Sequence, residues 1–208
     1  MVWEQRVQVI VMTTKTIERH RTKCGQYWPE DCGTALTAGK YEIHSEEIEN
    51  SEDFVVTHLA VKNLATDELR HVCHFQFVSW PDYGVPESAV SMLHFLQRVR
   101  EKQAEMVQEM AASWTGHPLG PPIVVHCSAG IGRTGTFATL DSAIRKFKDI
   151  GKVDIRSTVE RIRAQRAFSI QMPDQYVFCH LAFLEYVLNM EYVEEIDLTG
   201  FDDDCDSE

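Results

Sequence analysis

Long apolar runs are missing from this sequence. No stretch approaches the roughly 18 to 20 uninterrupted apolar residues of a membrane-spanning helix, and Glu4 and Arg6 break up the N-terminus as a signal peptide. The cytoplasm is therefore the expected location. Glycine and proline are scarce, 11 and 7 of 208 residues, which excludes collagen-like and low-complexity chains. Positive charge is also short, with 20 Lys and Arg against 32 Asp and Glu, whereas wholesale binding to nucleic acid or an anionic membrane needs the opposite surplus. The deficit is uneven. The last 18 positions hold nine acidic residues and no Lys or Arg, which leaves a net charge of −3 for the rest. We expect one domain over residues 1–190 and a solvated acidic tail over 191–208. The six cysteines (24, 32, 73, 127, 179 and 205) show no close pairing, and His71-Val-Cys73-His74 is too tightly spaced for a zinc knuckle, so neither disulfides nor a metal site are expected.

What is present fits a folded α/β domain: 44% apolar and 25% charged residues, with no internal repeat. Residues 7–12 (VQVIVM) form a short β-branched run that reads as a buried strand needing neighbours on both edges. Residues 31–70 suggest short strands around Gly33 and Gly39, with alternation near 41–44 and 55–64, followed by a strand at 73–78. Residues 79–86 are dense in turn formers and must be a loop. Met92, Leu93, Leu96 and Val99 mark a helix over 88–110, and a buried strand follows at 122–125. Phe137, Leu140, Ile144 and Phe147 mark a second helix that Gly151 stops. A capping box from Ser157 to Glu160 opens a third, with Arg161, Arg163 and Arg166 as a basic edge. The last, over 173–190, offers Tyr176, Phe178, Leu181, Leu184, Val187 and Leu188 as its buried side.

Between the strand at 122–125 and the second helix lies a glycine-rich loop, an arrangement that binds anions through backbone N–H groups and the helix dipole. Two chemistries compete for it. Gly130-x-Gly132-x-x-Gly135, with Asp154 further on, matches a dinucleotide fingerprint, but a Cys precedes the glycines, an Arg lies among them, and no clear second strand ends at Asp154. The alternative makes Cys127 a nucleophile. Loop amides, the helix N-terminus and Arg133 would lower its thiol pKa, the planar Arg133 fork would grip phosphoryl oxygens, and Thr134 could donate to the sulfur. His126 would orient the loop. An isolated Cys is usually an inert hydrophobe; the spacing to Arg133 within a glycine loop overturns that reading.

His-Cys-Ser-Ala-Gly-Ile-Gly-Arg-Thr-Gly at 126–135 resembles the signature of the tyrosine-specific cysteine phosphatases. Trp80-Pro81-Asp82-Tyr83-Gly84-Val85-Pro86 resembles the family's acid loop, Lys23-Cys24-Gly25-Gln26-Tyr27-Trp28-Pro29 its core motif, and Gln171-Met-Pro-Asp-Gln175-Tyr176 its glutamine loop. The resemblance covers about 1–187, and Met1-Val-Trp-Glu4 and residues 165–171 are similar to the non-receptor type 9 subfamily. It implies a mixed, twisted central sheet with helices on both faces, lacking the N-terminal part of the catalytic domain. It also implies hydrolysis of phosphotyrosine on proteins, without cofactor or metal. By resemblance Cys127 attacks phosphorus, and Ser128, Ala129, Gly130, Ile131, Gly132, Arg133 and Thr134, with His126, bind the phosphate. Asp82 acts as acid and then base, and Gln171 and Gln175 position water. Glu18 steadies Arg133, Lys23 joins the substrate site, and Phe168, where many relatives have Gly, narrows the approach. The shorter N-terminus supports an alternative: a catalytically weak fragment that binds phosphotyrosine proteins or a partner.

Overall fold

The computed structural model describes residues 1–81, 83–110 and 113–193. The first strand finds both of its neighbours. β1 (Val9–Met12), buried at every residue, runs parallel to β7 (Glu68–Phe77) on one side and to β8 (Val124–His126) on the other. Beyond β7 the sheet continues as an antiparallel meander through β6 (Phe54–Asn63), β5 (Tyr41–Asn50) and β4 (Ala35–Ala38), giving the order β4-β5-β6-β7-β1-β8. The stretches expected to be short strands are therefore ten residues long in β5, β6 and β7. β2 (Ile17–Glu18) and β3 (Arg21–Thr22) form a separate hairpin just after β1.

Four helices complete the described chain: α1 (Val90–Glu109), which joins β7 to β8, then α2 (Gly132–Ile150), α3 (Ile155–Gln165) and α4 (Pro173–Asn189). Strand alternation divides the core. Val9, Val11, Cys73, Phe75 and Phe77 face the helices and pack with Phe95, Val99, Phe137, Leu140, Phe178 and Phe183. Phe75, Phe77 and Phe95 are almost wholly buried, each contributing about 2–3 kcal/mol of apolar burial. Ile10, Met12, Leu59 and Val72 face the other way, under Trp28, with Val2 and Tyr27 packed against them. The α/β class and mixed sheet are as expected. Among the described residues the second face is covered by the N-terminal turn and the loop at Tyr27 and Trp28, where helices were expected.

Two helix details correct the sequence reading. α3 is capped by Asp154, whose carboxylate accepts from the Ser157 N–H at 2.8 Å, so it starts ahead of the anticipated Ser157 box. In α4 the buried stripe is Gln175, Phe178, Cys179, Ala182, Phe183, Tyr186 and Val187, while Leu181 and Leu188 are exposed. The small Cys179 and Ala182 are wholly buried beside the aromatic Phe178, Phe183 and Tyr186, and α4 packs against α2. The stop at Gly151 holds: its φ of 65° is left-handed, and its N–H donates to Phe147 O at 2.7 Å.

Candidate active site

β8 ends at His126 and α2 begins at Gly132, and the intervening turn floors a pocket of about 320 Å³. Cys127, Ser128, Ala129, Gly132 and Arg133 line it from this turn, Thr14, Glu18 and Lys23 from the segment after β1, Trp80 and Gly84 from the loop after β7, and Gln171 and Gln175 from the start of α4. α2 opens without a side-chain cap or an acidic residue in its first turn, so its leading N–H groups are open to an anion.

Cys127 is 8% exposed, and its sulfur accepts a hydrogen bond from Gly130 N at 3.2 Å. Burial pushes the thiol pKa up. The Thr134 hydroxyl and the N–H groups of Thr134, Gly130 and Ile131 oppose it and prevail, so the thiol lies below its ordinary value. The Thr134 hydroxyl is buried without a hydrogen-bond partner among the described residues. Arg133 is held end-on by Glu18, with Nη1 to Oε1 at 2.6 Å and Nη2 to Oε2 at 3.0 Å, while Nη1 also reaches Thr13 O at 3.3 Å. A guanidinium has five N–H groups. Among the described residues the Nε–H and one Nη2–H, which form one edge, remain for a bidentate oxyanion. Burial raises the Glu18 carboxyl pKa, but Arg133, the Lys15 N–H and the Thr14 hydroxyl bring it below the usual range.

Two of the three glycines are required by the backbone, Gly130 by its left-handed φ and Gly135 by close approach to the main chain, while the neighbour of Gly132 is the end of a side chain. A Cβ on Gly130 (φ 70°) would stand 3.0 Å from Arg166 Nη2, one on Gly132 2.9 Å from Gln175 Nε2, and one on Gly135 2.5 Å from Ile170 N. The dinucleotide reading has no support left, since Asp154 is the cap of α3 and no strand separates α2 from α3.

Behind the loop runs a polar chain. Tyr27 Oη lies 2.6 Å from His126 Nε2 and 2.7 Å from His74 Nε2, and His126 Nδ1 lies 3.2 Å from Cys127 O. One hydrogen arrangement satisfies all three contacts with neutral rings. His126 Nδ1–H donates to the carbonyl, Tyr27 O–H donates to His126 Nε2, and His74 Nε2–H donates to Tyr27. His74 Nδ1, buried without a partner, is then the bare nitrogen. Burial, helped by the nearby His126, pulls the His74 pKa down to about 3.

A family model described as protein-tyrosine phosphatase matches residues 1–185. The chain belongs to that family. It is 50% identical to the human tyrosine-protein phosphatase non-receptor type 9 over 186 residues, 89% of this chain and 31% of that protein. It is 38% identical to tyrosine phosphatase H2 of Microplitis demolitor bracovirus over 189 residues, 89% of this chain and 57% of the relative. To tyrosine-protein phosphatase corkscrew of Drosophila virilis it is 37% identical over 190 residues, 90% and 24% of the two chains. The chain thus spans less than a third of the type 9 protein's length.

The phosphatase motifs converge on the pocket to different degrees. Cys127, Arg133, Glu18, Lys23, Ser128, Ala129, Gly132, Gln171 and Gln175 line it, while Gly130, Ile131 and Thr134 act on the sulfur through their N–H groups. Gln175 also serves as a cap: its Oε1 accepts from the N–H groups of Gln171 at 3.0 Å and Met172 at 3.2 Å. Phe168, 76% exposed with a φ of 63°, is not a lining residue. Asp82 lies outside the described residues. Sequence reading gave no polar role to Tyr27, named only within its motif, nor to Thr14, whose hydroxyl donates to Glu18 Oε1 at 3.0 Å. Tyr27 carries no local signal because its partners lie 47 and 99 residues away, whereas Thr14 sits only four residues before Glu18 in a stretch that offers no motif. Among the described residues no cluster of His, Cys, Asp or Glu is placed to hold a metal, and no helix is long and apolar enough to cross a membrane.

Proposed function

We propose that this chain hydrolyses phosphotyrosine on cytoplasmic proteins through a phosphocysteine intermediate, with residues 1–190 as the catalytic unit and 191–208 as an acidic extension. The observation that carries the reading is that a depressed Cys127 thiol and an Arg133 with one edge unused line the same pocket. The Cys127 sulfur attacks phosphorus, forming an S–P bond as the P–O bond to tyrosine breaks. Arg133 and the loop N–H groups take the equatorial oxygens, whose charge grows in the transition state. Asp82, by its place in the Trp-Pro-Asp motif, protonates the departing tyrosine oxygen, because a phenolate is a poor leaving group at neutral pH. Water beside Gln171 and Gln175 then attacks phosphorus, gives its proton to Asp82, and breaks the S–P bond to release phosphate and the thiolate.

The test is phosphate release from a phosphotyrosine peptide by the full chain, Cys127→Ser and Asp82→Ala. We expect no turnover for the first variant and a loss of about 10²- to 10⁴-fold for the second. A folded chain that retains phosphopeptide without Cys127-dependent release would be a binding module instead.

A further inference from the structure

α3 ends in a basic edge, yet two of its arginines are engaged by backbone carbonyls. Arg163 Nε donates to Ser169 O at 2.8 Å and its Nη2 to Ile170 O at 2.7 Å. Arg166 Nε donates to Gly130 O at 2.6 Å and its Nη2 to Ala129 O at 3.4 Å. These last two carbonyls belong to particular peptide units. Ala129 C=O shares its plane with the Gly130 N–H, which donates to the Cys127 sulfur at 3.2 Å. Gly130 C=O shares its plane with the Ile131 N–H, which also favours the thiolate. A trans peptide is rigid, with its C=O and N–H pointing opposite ways, so fixing the oxygen end aims the nitrogen end. Gly130 permits this arrangement twice, through its left-handed φ of 70° and because a Cβ would meet Arg166 Nη2 at 3.0 Å.

We propose that Arg166 is a positioning residue for the nucleophile: its fork anchors two successive peptide planes by their outer oxygens and so keeps both N–H groups on the Cys127 sulfur. Arg166 does not line the pocket and acts only through the loop. Among the described residues the charged groups that line the sulfur's pocket are Glu18, Lys23 and Arg133, with His126 behind it on the Cys127 carbonyl; Asp82 lies outside the described residues. The bonds Arg166 makes are charge-assisted, which further polarises the peptides and strengthens their N–H donors. The inference rests on Cys127 as the nucleophile, but the thiol can be read without turnover.

The experiment is the pH dependence of Cys127 alkylation by iodoacetamide on the full chain, followed by mass spectrometry at that residue, with folding checked by circular dichroism at each pH. Burial holds the thiols of Cys73 and Cys179 up at about 12 and raises that of Cys24, and reading the mass shift on the peptide that carries Cys127 separates it from the exposed Cys32 and from Cys205. Arg166→Ala is expected to raise the alkylation midpoint by about one pH unit, making the reaction about tenfold slower below it. Arg166→Lys keeps the charge and loses the fork, and should move the midpoint by most of that amount; it also serves if the alanine variant does not fold. Arg163→Lys, which touches carbonyls outside the nucleophile loop, should leave the midpoint in place. An unmoved midpoint in a folded Arg166→Ala or Arg166→Lys chain overturns the proposal, as does an equal shift in Arg163→Lys, which would indicate general loosening. Absence of phosphatase turnover with a low wild-type midpoint would sink the catalytic reading and leave this one standing.

Discussion

Two arginine–carboxylate pairs meet on α2, and they use opposite sides of the same chemical group. In the scaffold, Arg100 of α1 gives its Nε and Nη2 edge to Asp141 and its Nη1 to Gln103 Oε1 at 2.5 Å. At the site, Arg133 gives Glu18 its Nη1 and Nη2 end, and the Nε and Nη2 edge is left over. The arginines are similarly sheltered, at 27% and 16% exposed. The first pair ties α1 to α2; the second holds a fork still while presenting its other edge. Which edge the carboxylate takes decides whether a buried ion pair is structural or available to a ligand.

That contrast can be broken at either pair. Arg133→Lys, which keeps charge but removes the fork, is expected to lower kcat/KM on a phosphotyrosine peptide by about 10²- to 10³-fold. Arg100→Lys should leave kcat/KM within about threefold, and comparable losses in both variants would erase the distinction. Arg100→Ala strands Asp141 in a site 12% exposed, and urea titration should show about 2–3 kcal/mol of lost stability with little change in turnover. Glu18→Gln should cost about tenfold in kcat/KM, near the 1–3 kcal/mol of a charged hydrogen bond. Because the Glu18 pKa is depressed in the fold, its contribution is present at neutral pH and lost as pH falls below about 4, so the glutamine variant should show a shallower acid limb. The last test is at His74. Its folded pKa of about 3 means that stability is full above about pH 6.5 and declines as pH falls toward 3, and His74→Gln should flatten that slope in acid melts.

Much of this architecture was legible because it is periodic or local. The run around Val9–Met12 could only be a central strand, and the spacing of Phe137, Leu140 and Ile144 could only be a helix. Cys127 and Arg133 were named through one motif and Glu18 through resemblance to relatives, and all three meet in the pocket. What was not legible depends on which neighbour arrives. The phase of α4 was misread because Leu181 and Leu188 look more apolar than Cys179 and Ala182, although the small pair is the one buried. The polar role of Tyr27 was hidden because its two histidine partners lie 47 and 99 residues away. Arg166 looked like surface charge for the same reason, since the Gly130 carbonyl it holds is 36 residues distant.

The place of β1 also has a consequence in time. Its partners on one side are residues 73–76 and on the other residues 124–126, so the middle of the sheet cannot close until the last of these has left the ribosome. At about 5–20 residues per second, the apolar run around Val9–Met12 waits roughly 5–20 s with an unfilled edge. During synthesis this short segment is the part of the chain most in need of a chaperone's cover.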